Sequence, residues 1–188
     1  MKHKKVTTSS GRFIDVYDDV FPPHLSMVHL NFIQNSYFKL GSSSNEVVLW
    51  QRSKTFFQSS FSKEDFNNFK FINDELLQKL QNYQVERCWA VASSPFSTYY
   101  YHCDGDEPGI TVLYYVNSRW NREWGGETLF ANDEGECEIA VEYKPNRVVI
   151  FDSLIEHKPS SISIEADEFR FVFVIQMKPK QKCGVPLE

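Results

Sequence analysis

The chain lacks the features that mark disulfide-rich, membrane-spanning or nucleic-acid-binding proteins. It has four cysteines, Cys88, Cys103, Cys137 and Cys183, and no two stand in a CxxC pair. That spacing excludes a zinc knuckle and a dense disulfide framework, and it points to a reduced, cytoplasmic protein. No apolar stretch approaches the roughly 20 residues of a membrane span. The opening "MKHKK" has no apolar run behind its charges, so it does not read as a secretion signal. Positive charge is not in excess: 20 Lys and Arg against 25 Asp and Glu leave a net charge of −5. A basic footprint for nucleic acid is therefore missing, and neither a nucleic-acid nor a membrane partner is expected. There is no internal repeat and no low-complexity segment. Aromatic residues, in contrast, are plentiful at 15%, with sixteen Phe in 188 residues. This is enough length and apolar material for one domain with a full core.

Residues 11–20 read as a strand running into a turn. A helix is expected over 21–40, with Pro22 and Pro23 at its start, where no amide hydrogen is needed. Leu25, Val28, Phe32, Ile33 and Leu40 would form its apolar stripe. "GSSSN" at 41–45 reads as a loop and "EVVLWQRSKTFF" as extended. One or two helices are expected over 62–83, with Ser62 and Asp65 forming an N-terminal cap. The chain to about residue 84 thus reads as a mainly helical flank.

Beyond it come about eight short runs rich in β-branched and aromatic residues, separated by Gly, Pro, Asn, Asp and Ser. They are "ERCWAVASS", "STYYYHCD", "ITVLYYV", "GETLFA", "CEIAVEY", "RVVIFD", "HKPSSISI" and "FRFVFVIQM". The fold class is α+β, mainly β with an α flank: a double-stranded β-helix, or jelly roll, supported by N-terminal helices. A single domain over 1–188 is expected, with its β core over about 85–178 and a polar tail over 179–188. Both ends, His3 included, are expected to be mobile.

One stretch carries chemistry. In "TYYYHCDGDEPGITVLYYVNSRW", His102 and Asp104 are two apart among β-formers. On a strand they would share a face while Cys103 turns away into packing. A second imidazole, His157, stands at the start of a later strand in "FDSLIEHKPSS". Two His and one carboxylate on a β scaffold form a facial triad that leaves coordination positions open and suits non-haem Fe(II). Arg170 opens the apolar run "RFVFVIQM". A lone Arg in a buried strand needs an anionic partner, and a guanidinium grips a carboxylate with two prongs. A dicarboxylate such as 2-oxoglutarate would reach from the metal to Arg170. His24 and His29 do not have ligand spacing, and Asp106 and Glu107 fit a capped turn. Arg119 and Arg122 read as solvated charges. Tyr99, Trp120 and Trp124 fit either core or pocket wall, and Glu127 either the rim or a solvated strand.

These motifs together resemble the 2-oxoglutarate- and Fe(II)-dependent oxygenases, and within them the prolyl 4-hydroxylases. "YYHCD" resembles the family's Tyr-x-x-His-x-Asp, here Tyr99, His102 and Asp104. "ITVLYYVNSRW" resembles the strand of the oxygen-sensing prolyl hydroxylases that ends Tyr-Tyr-Leu-Asn. "WGGETLF" and "NRVVIFDSLIEHKPSSI" resemble the Gly-Gly-Glu-Thr-x-Phe and the strand-turn-His of the prolyl 4-hydroxylases. The resemblance spans roughly residues 87–177. It implies Fe(II) on His102, Asp104 and His157, with 2-oxoglutarate on Arg170, Tyr115 and Thr111. Tyr99, Trp120, Trp124 and Glu127 become candidate substrate-pocket residues. The implied reaction uses dioxygen, releases succinate and carbon dioxide, and hydroxylates an unactivated C–H, with no catalytic residue beyond the metal centre. A prolyl residue of a peptide or protein is the leading substrate. A free amino acid or other small molecule is the alternative, as is a silent metal- or ligand-binding jelly roll. The chain departs from the family in three places. Arg170 stands where the collagen-type enzymes usually have Lys (the oxygen-sensing enzymes have Arg), the loop between His157 and Arg170 is longer, and Ala92 stands where a Tyr is common. Gln176 stands where the DNA-repair dealkylases carry a second Arg, which disfavours them.

Overall fold

The computed structural model describes residues 1–40, 56–69 and 72–180. Its centre is an eight-stranded antiparallel sheet in the order β1-β2-β9-β6-β11-β5-β4-β3, facing a small sheet in the order β10-β7-β8. The strands are β1 (Lys2–Thr7), β2 (Phe13–Asp18), β3 (Lys39–Leu40), β4 (Phe57–Phe61), β5 (Tyr83–Ser93), β6 (Ile110–Tyr115), β7 (Thr128–Ala131), β8 (Cys137–Val141), β9 (Arg147–Asp152), β10 (His157–Pro159) and β11 (Arg170–Pro179). Among the described residues three α-helices accompany them: α1 (Pro23–Gln34), α2 (Lys63–Phe69) and α3 (Asp74–Lys79). Among the described residues no helix is long and apolar enough to cross a membrane.

The large sheet is covered on both faces, and the two-residue period of a strand sorts its side chains between two cores. Ile110, Val112 and Tyr114 of β6, with Phe173, Ile175 and Met177 of β11, pack with Leu30 and Ile33 of α1 and Leu76 of α3. Leu113 and Tyr115, with Val172 and Val174, turn the other way and pack with Phe130 of β7 and Phe151 of β9. This is why β6 is buried at every position and reads as a continuous apolar run rather than an alternating one. Arg170 and Gln176 keep step with Val172 and Val174 on β11. The same parity carries Thr111 with Leu113 and Tyr115. Polar side chains therefore enter between the sheets at fixed register positions.

Several expectations need correction. Among its described residues the flank is not mainly helical: β1 and β2 join the edge of the large sheet beside β9, and β3 and β4 join its other edge. The N-terminus is held in place, since all of β1 pairs with β2. His3 Nε2 lies 2.7 Å from Asp15 Oδ1, and its ring stacks on Tyr17 at 4.4 Å. The buried face of α1 is Ser26, His29, Leu30 and Ile33, a helical i, i+3, i+4, i+7 set. Val28 is 48% exposed, and Leu40 has left the helix for β3 and is 57% exposed. His29 is a core residue whose Nδ1 sits 3.4 Å from the Tyr114 hydroxyl, and burial pushes that phenol up to about 12. The strand expected over "STYYYHCD" is irregular backbone, and the one over "HKPSSISI" is limited to β10. Cys103 does not pack; it is exposed. The loop at 41–45 and nearly all of the extended segment after it lie outside the described residues, as does Cys183.

Other expectations hold. Two helices occupy 62–83, and Ser62 and Asp65 cap the first reciprocally: the Ser62 amide donates to Asp65 Oδ2 at 2.9 Å and the Asp65 amide to Ser62 Oγ at 3.0 Å. The second is capped by Asn73, whose side chain accepts from the Leu76 amide.

Candidate active site

His102 and His157 are far apart in sequence and are brought together by the backbone. Each donates its amide to the other's carbonyl, at 3.1 and 3.0 Å, in an isolated antiparallel bridge that prolongs β10. Directly opposed residues of such a pair project to the same side, and the two imidazole centroids are 4.6 Å apart. Both Nδ1 atoms face carbonyls, His102 that of Tyr100 and His157 that of Ile155, each at 3.0 Å. A carbonyl only accepts, so each ring places its proton on Nδ1 and leaves the Nε2 lone pair free.

Both Nε2 atoms face Asp104. His102 Nε2 is 3.8 Å from Oδ1 and His157 Nε2 is 3.5 Å from Oδ2. One donor atom from each of the three residues lies within 4.8 Å of the other two. Burial, reinforced by the neighbouring His102, holds the His157 pKa below its ordinary value and keeps the ring neutral, as a metal ligand must be. Two neutral imidazoles with fixed tautomers and one carboxylate form a donor set suited to a divalent ion with open positions.

Arg170 enters from the first position of β11 and is 2% exposed. Its Nε donates to the Gly126 carbonyl at 2.8 Å. The guanidinium carbon lies 4.7 Å from the Tyr143 ring centroid and 5.4 Å from that of Tyr115. No acid pairs with it among the described residues. Desolvating a cation costs several kcal/mol. Aromatic faces return about 2 kcal/mol when desolvated, so the ring contacts offset only part of that cost.

The double glycine before β7 follows from this seat. Gly126 has φ +80°, and a Cβ there would lie 3.0 Å from Arg170 Cδ; Gly125 has φ +69°, and a Cβ would lie 2.7 Å from the Ser161 carbonyl. Both residues need the left-handed region and the missing side chain.

The sequence reading passed over Tyr143 and Asn117. Tyr143 stacks on Tyr115 at 4.5 Å, and its hydroxyl lies 2.6 Å from both Asn117 Oδ1 and the Phe171 carbonyl. Asn117, fully buried, also accepts from the Phe171 amide at 2.8 Å and donates to the Phe169 carbonyl at 2.8 Å. It thereby fixes the chain on either side of Arg170. A polar residue two positions after the fully buried β6 was the available signal for Asn117. Tyr143 looks in sequence like any other core aromatic.

The remaining candidates separate. The Tyr115 hydroxyl pairs with Thr128 Oγ1 at 2.7 Å while its ring faces the guanidinium. Thr111 was assigned to the 2-oxoglutarate pocket, but its hydroxyl donates to Asp104 Oδ2 at 2.6 Å. Tyr99 hydrogen-bonds Ser93, which lies opposite Arg170 in the β5–β11 pairing, and its ring stacks on Phe56 at 5.1 Å. Trp120 is engaged structurally: its Nε1 donates to the Gly125 carbonyl at 2.9 Å and its ring meets Tyr143 at 4.8 Å. Trp124 packs against Trp120 at 5.1 Å, and Glu127 accepts from the Ser160 hydroxyl. Arg119 is exposed but paired, with Asp167 and Glu168.

Residues 89–175 match the model of the 2OG-Fe(II) oxygenase superfamily. Fe(II) and 2-oxoglutarate are the metal and cosubstrate of that class. No curated protein matches the sequence significantly. Solved structures share the fold at low identity. A prolyl hydroxylase from Trichoplax adhaerens, in complex with a hypoxia-inducible-factor oxygen degradation domain peptide, is 16% identical with a TM-score of 0.63, over 87% of this chain and 82% of that one. A Pseudomonas putida prolyl-4-hydroxylase is 14% identical with a TM-score of 0.64, over 89% and 92%. HygX from Streptomyces hygroscopicus, with nickel, 2-oxoglutarate and hygromycin B bound, is 12% identical with a TM-score of 0.67, over 89% and 83%.

Proposed function

We propose that this 2-oxoglutarate-dependent dioxygenase hydroxylates a prolyl residue of a peptide or protein, with His102, Asp104 and His157 as the Fe(II) ligands and Arg170 as the anchor of 2-oxoglutarate. The observation that carries the cofactor assignment is the buried Arg170, paired with no acid among the described residues and lying between the same sheets as the three converging donors. Bound Fe(II) with 2-oxoglutarate supplies dioxygen activation, and succinate and carbon dioxide leave as co-products.

The chain's own residues bind, orient and exclude water. The His102–His157 bridge and the Nδ1 hydrogen bonds fix the imidazoles before metal arrives. Arg170, held by Gly126 and the faces of Tyr143 and Tyr115, presents its remaining N–H groups to the far carboxylate of 2-oxoglutarate. The Tyr115 hydroxyl, beside the same guanidinium, is a second donor for that carboxylate; burial raises its pKa, so it remains protonated. No side chain has to act as acid or base. Tyr99 and Trp124 remain the pocket-wall candidates, with Glu127 at the rim.

The prolyl assignment is supported by the sequence motifs and by the two prolyl hydroxylases that share the fold. A small-molecule substrate is the second reading, because the HygX structure with bound hygromycin B is equally similar in fold. The test is anaerobic addition of Fe(II) and then 2-oxoglutarate to the metal-free protein, following the visible charge-transfer band. Aerobic turnover with proline-containing peptides and, separately, with free amino acids and aminoglycosides follows, analysed by mass spectrometry. A band together with an oxygenated peptide supports the proposal. A band with oxygenation only of small molecules selects the second reading. No band in the folded, metal-loaded protein overturns the 2-oxoglutarate assignment.

A further inference from the structure

Asp104 is the one member of the triad without a regular element or a bridge beneath it; it sits on a bend within the irregular stretch between β5 and β6. Three hydrogen bonds hold it instead. Its amide donates to the Ser153 carbonyl at 3.0 Å. Thr111 Oγ1 donates to its Oδ2 at 2.6 Å. Gln176 Nε2 donates to its backbone carbonyl at 2.9 Å.

The last two donors share a row of the large sheet. Gln176 lies opposite Thr111 on β6 and opposite Arg87 on β5. Thr111 is fully buried and Gln176 is 6% exposed. An amide can present either end, but Arg87 Nε donates to Gln176 Oε1 at 2.6 Å. A guanidinium has no acceptor, so it takes the oxygen end and turns the NH2 end toward Asp104. Arg87 is itself steadied on the Trp89 ring, 4.6 Å away.

We propose that Gln176, Thr111 and Arg87 are positioning residues for Asp104. They form a relay across β5, β11 and β6 that fixes both the backbone and the carboxylate of the ligand and thereby sets metal affinity. This inference rests on the reading of His102, Asp104 and His157 as the metal site. It gives a role to Gln176, a side chain that neither the triad nor the cosubstrate anchor uses. A carboxylate on irregular backbone would otherwise lose rotamer and chain freedom when metal binds, and the affinity would fall by that amount. Thr111 also fills one acceptor position on Oδ2 and limits how the carboxylate can turn.

The test is titration of metal-free protein with Co(II), a spectroscopic substitute for Fe(II), read by its visible ligand-field bands. Thr111→Val and Gln176→Met should each weaken Co(II) about tenfold, the lower end of what outer partners of a metal site are worth. Each should also change the band shape. Thr111→Ser, which restores the hydroxyl, should stay within about twofold of the unaltered protein, and Arg87→Met should fall in between. The affinity of the Co(II)-loaded protein for 2-oxoglutarate should not change in Gln176→Met or Arg87→Met. Arg87 is exposed, so Arg87→Met tests the relay even if a buried variant fails to fold. Folded Thr111→Val and Arg87→Met variants with the affinity and bands of the unaltered protein overturn the proposal. Failure of the unaltered protein to bind Co(II) overturns it together with the triad. Binding of Co(II) without 2-oxoglutarate defeats only the hydroxylase reading, and the variant series still decides the relay.

Discussion

The proposed metal end and the proposed cosubstrate end of the site are built by opposite means. Arg170 stands on a ten-residue central strand paired on both sides, β5 on one and β6 on the other. Its place follows from strand parity, and its surroundings are aromatic. His102 and Asp104 stand on backbone that belongs to no strand. They are held by one bridge, by carbonyls at Nδ1 and by borrowed side-chain donors. A regular strand can place one long side chain with little assistance. Converging three short side chains on one point requires the backbone to leave the sheet, and each departure must be compensated by a specific hydrogen bond.

Substitutions should expose that difference. The largest effect is expected from His157→Ala, which removes a ligand and the ring opposite His102; the charge-transfer band on adding Fe(II) and 2-oxoglutarate should disappear. Arg170→Leu should keep the metal and weaken 2-oxoglutarate by about 3 kcal/mol, roughly a hundredfold, the scale of truncating one partner of a buried charge pair. The titration separates the two ends: metal binding is lost in the first variant and kept in the second. Gly126→Ala should lower stability by about 1–3 kcal/mol in thermal unfolding, because it combines a disallowed φ with a contact against Arg170. It should weaken 2-oxoglutarate as well, while leaving metal affinity unchanged.

A smaller effect is expected from pH. The His157 pKa is depressed in the fold, mainly by burial, from an ordinary value of 6.5. The unfolded chain therefore takes up the proton first as pH falls. Stability of the metal-free protein is full above pH 6.5 and declines below it, toward the folded-state pKa. His157→Gln should flatten that decline in melting scans. The smallest effect is expected from Asp18→Asn, away from both ends. Burial raises the Asp18 pKa, but hydrogen bonds from Arg147 and Lys144 outweigh it and hold the carboxyl low. At this partly exposed position the loss should stay within about 1 kcal/mol.

The sequence was legible where the physics is local. Seven of the eight β runs appear as strands because alternation and turn residues are properties of a few neighbours. The Ser62–Asp65 cap was readable for the same reason. His102, Asp104, His157 and Arg170 were legible as residue types that a β core does not otherwise tolerate. Misreadings arose where a partner far along the chain decides the outcome. "MKHKK" looks like a loose end until β2 offers it an edge. Tyr143 carries no local mark, because its role is defined by the Arg170 guanidinium and the Tyr115 ring that it packs against.

The reciprocal backbone bonds of His102 and His157 have a consequence for assembly. They close a long loop that contains β6, β7, β8 and β9, and an ion held by both rings would act as a removable staple across it. Closing such a loop is entropically expensive in the unfolded chain, and whatever binds only the closed form stabilises it in proportion to its concentration. Metal supply would therefore govern how long the polypeptide survives as well as whether it turns over. In metal-starved protein the irregular segment between β5 and β6 would be the first backbone to exchange its amide hydrogens and the first place a protease cuts.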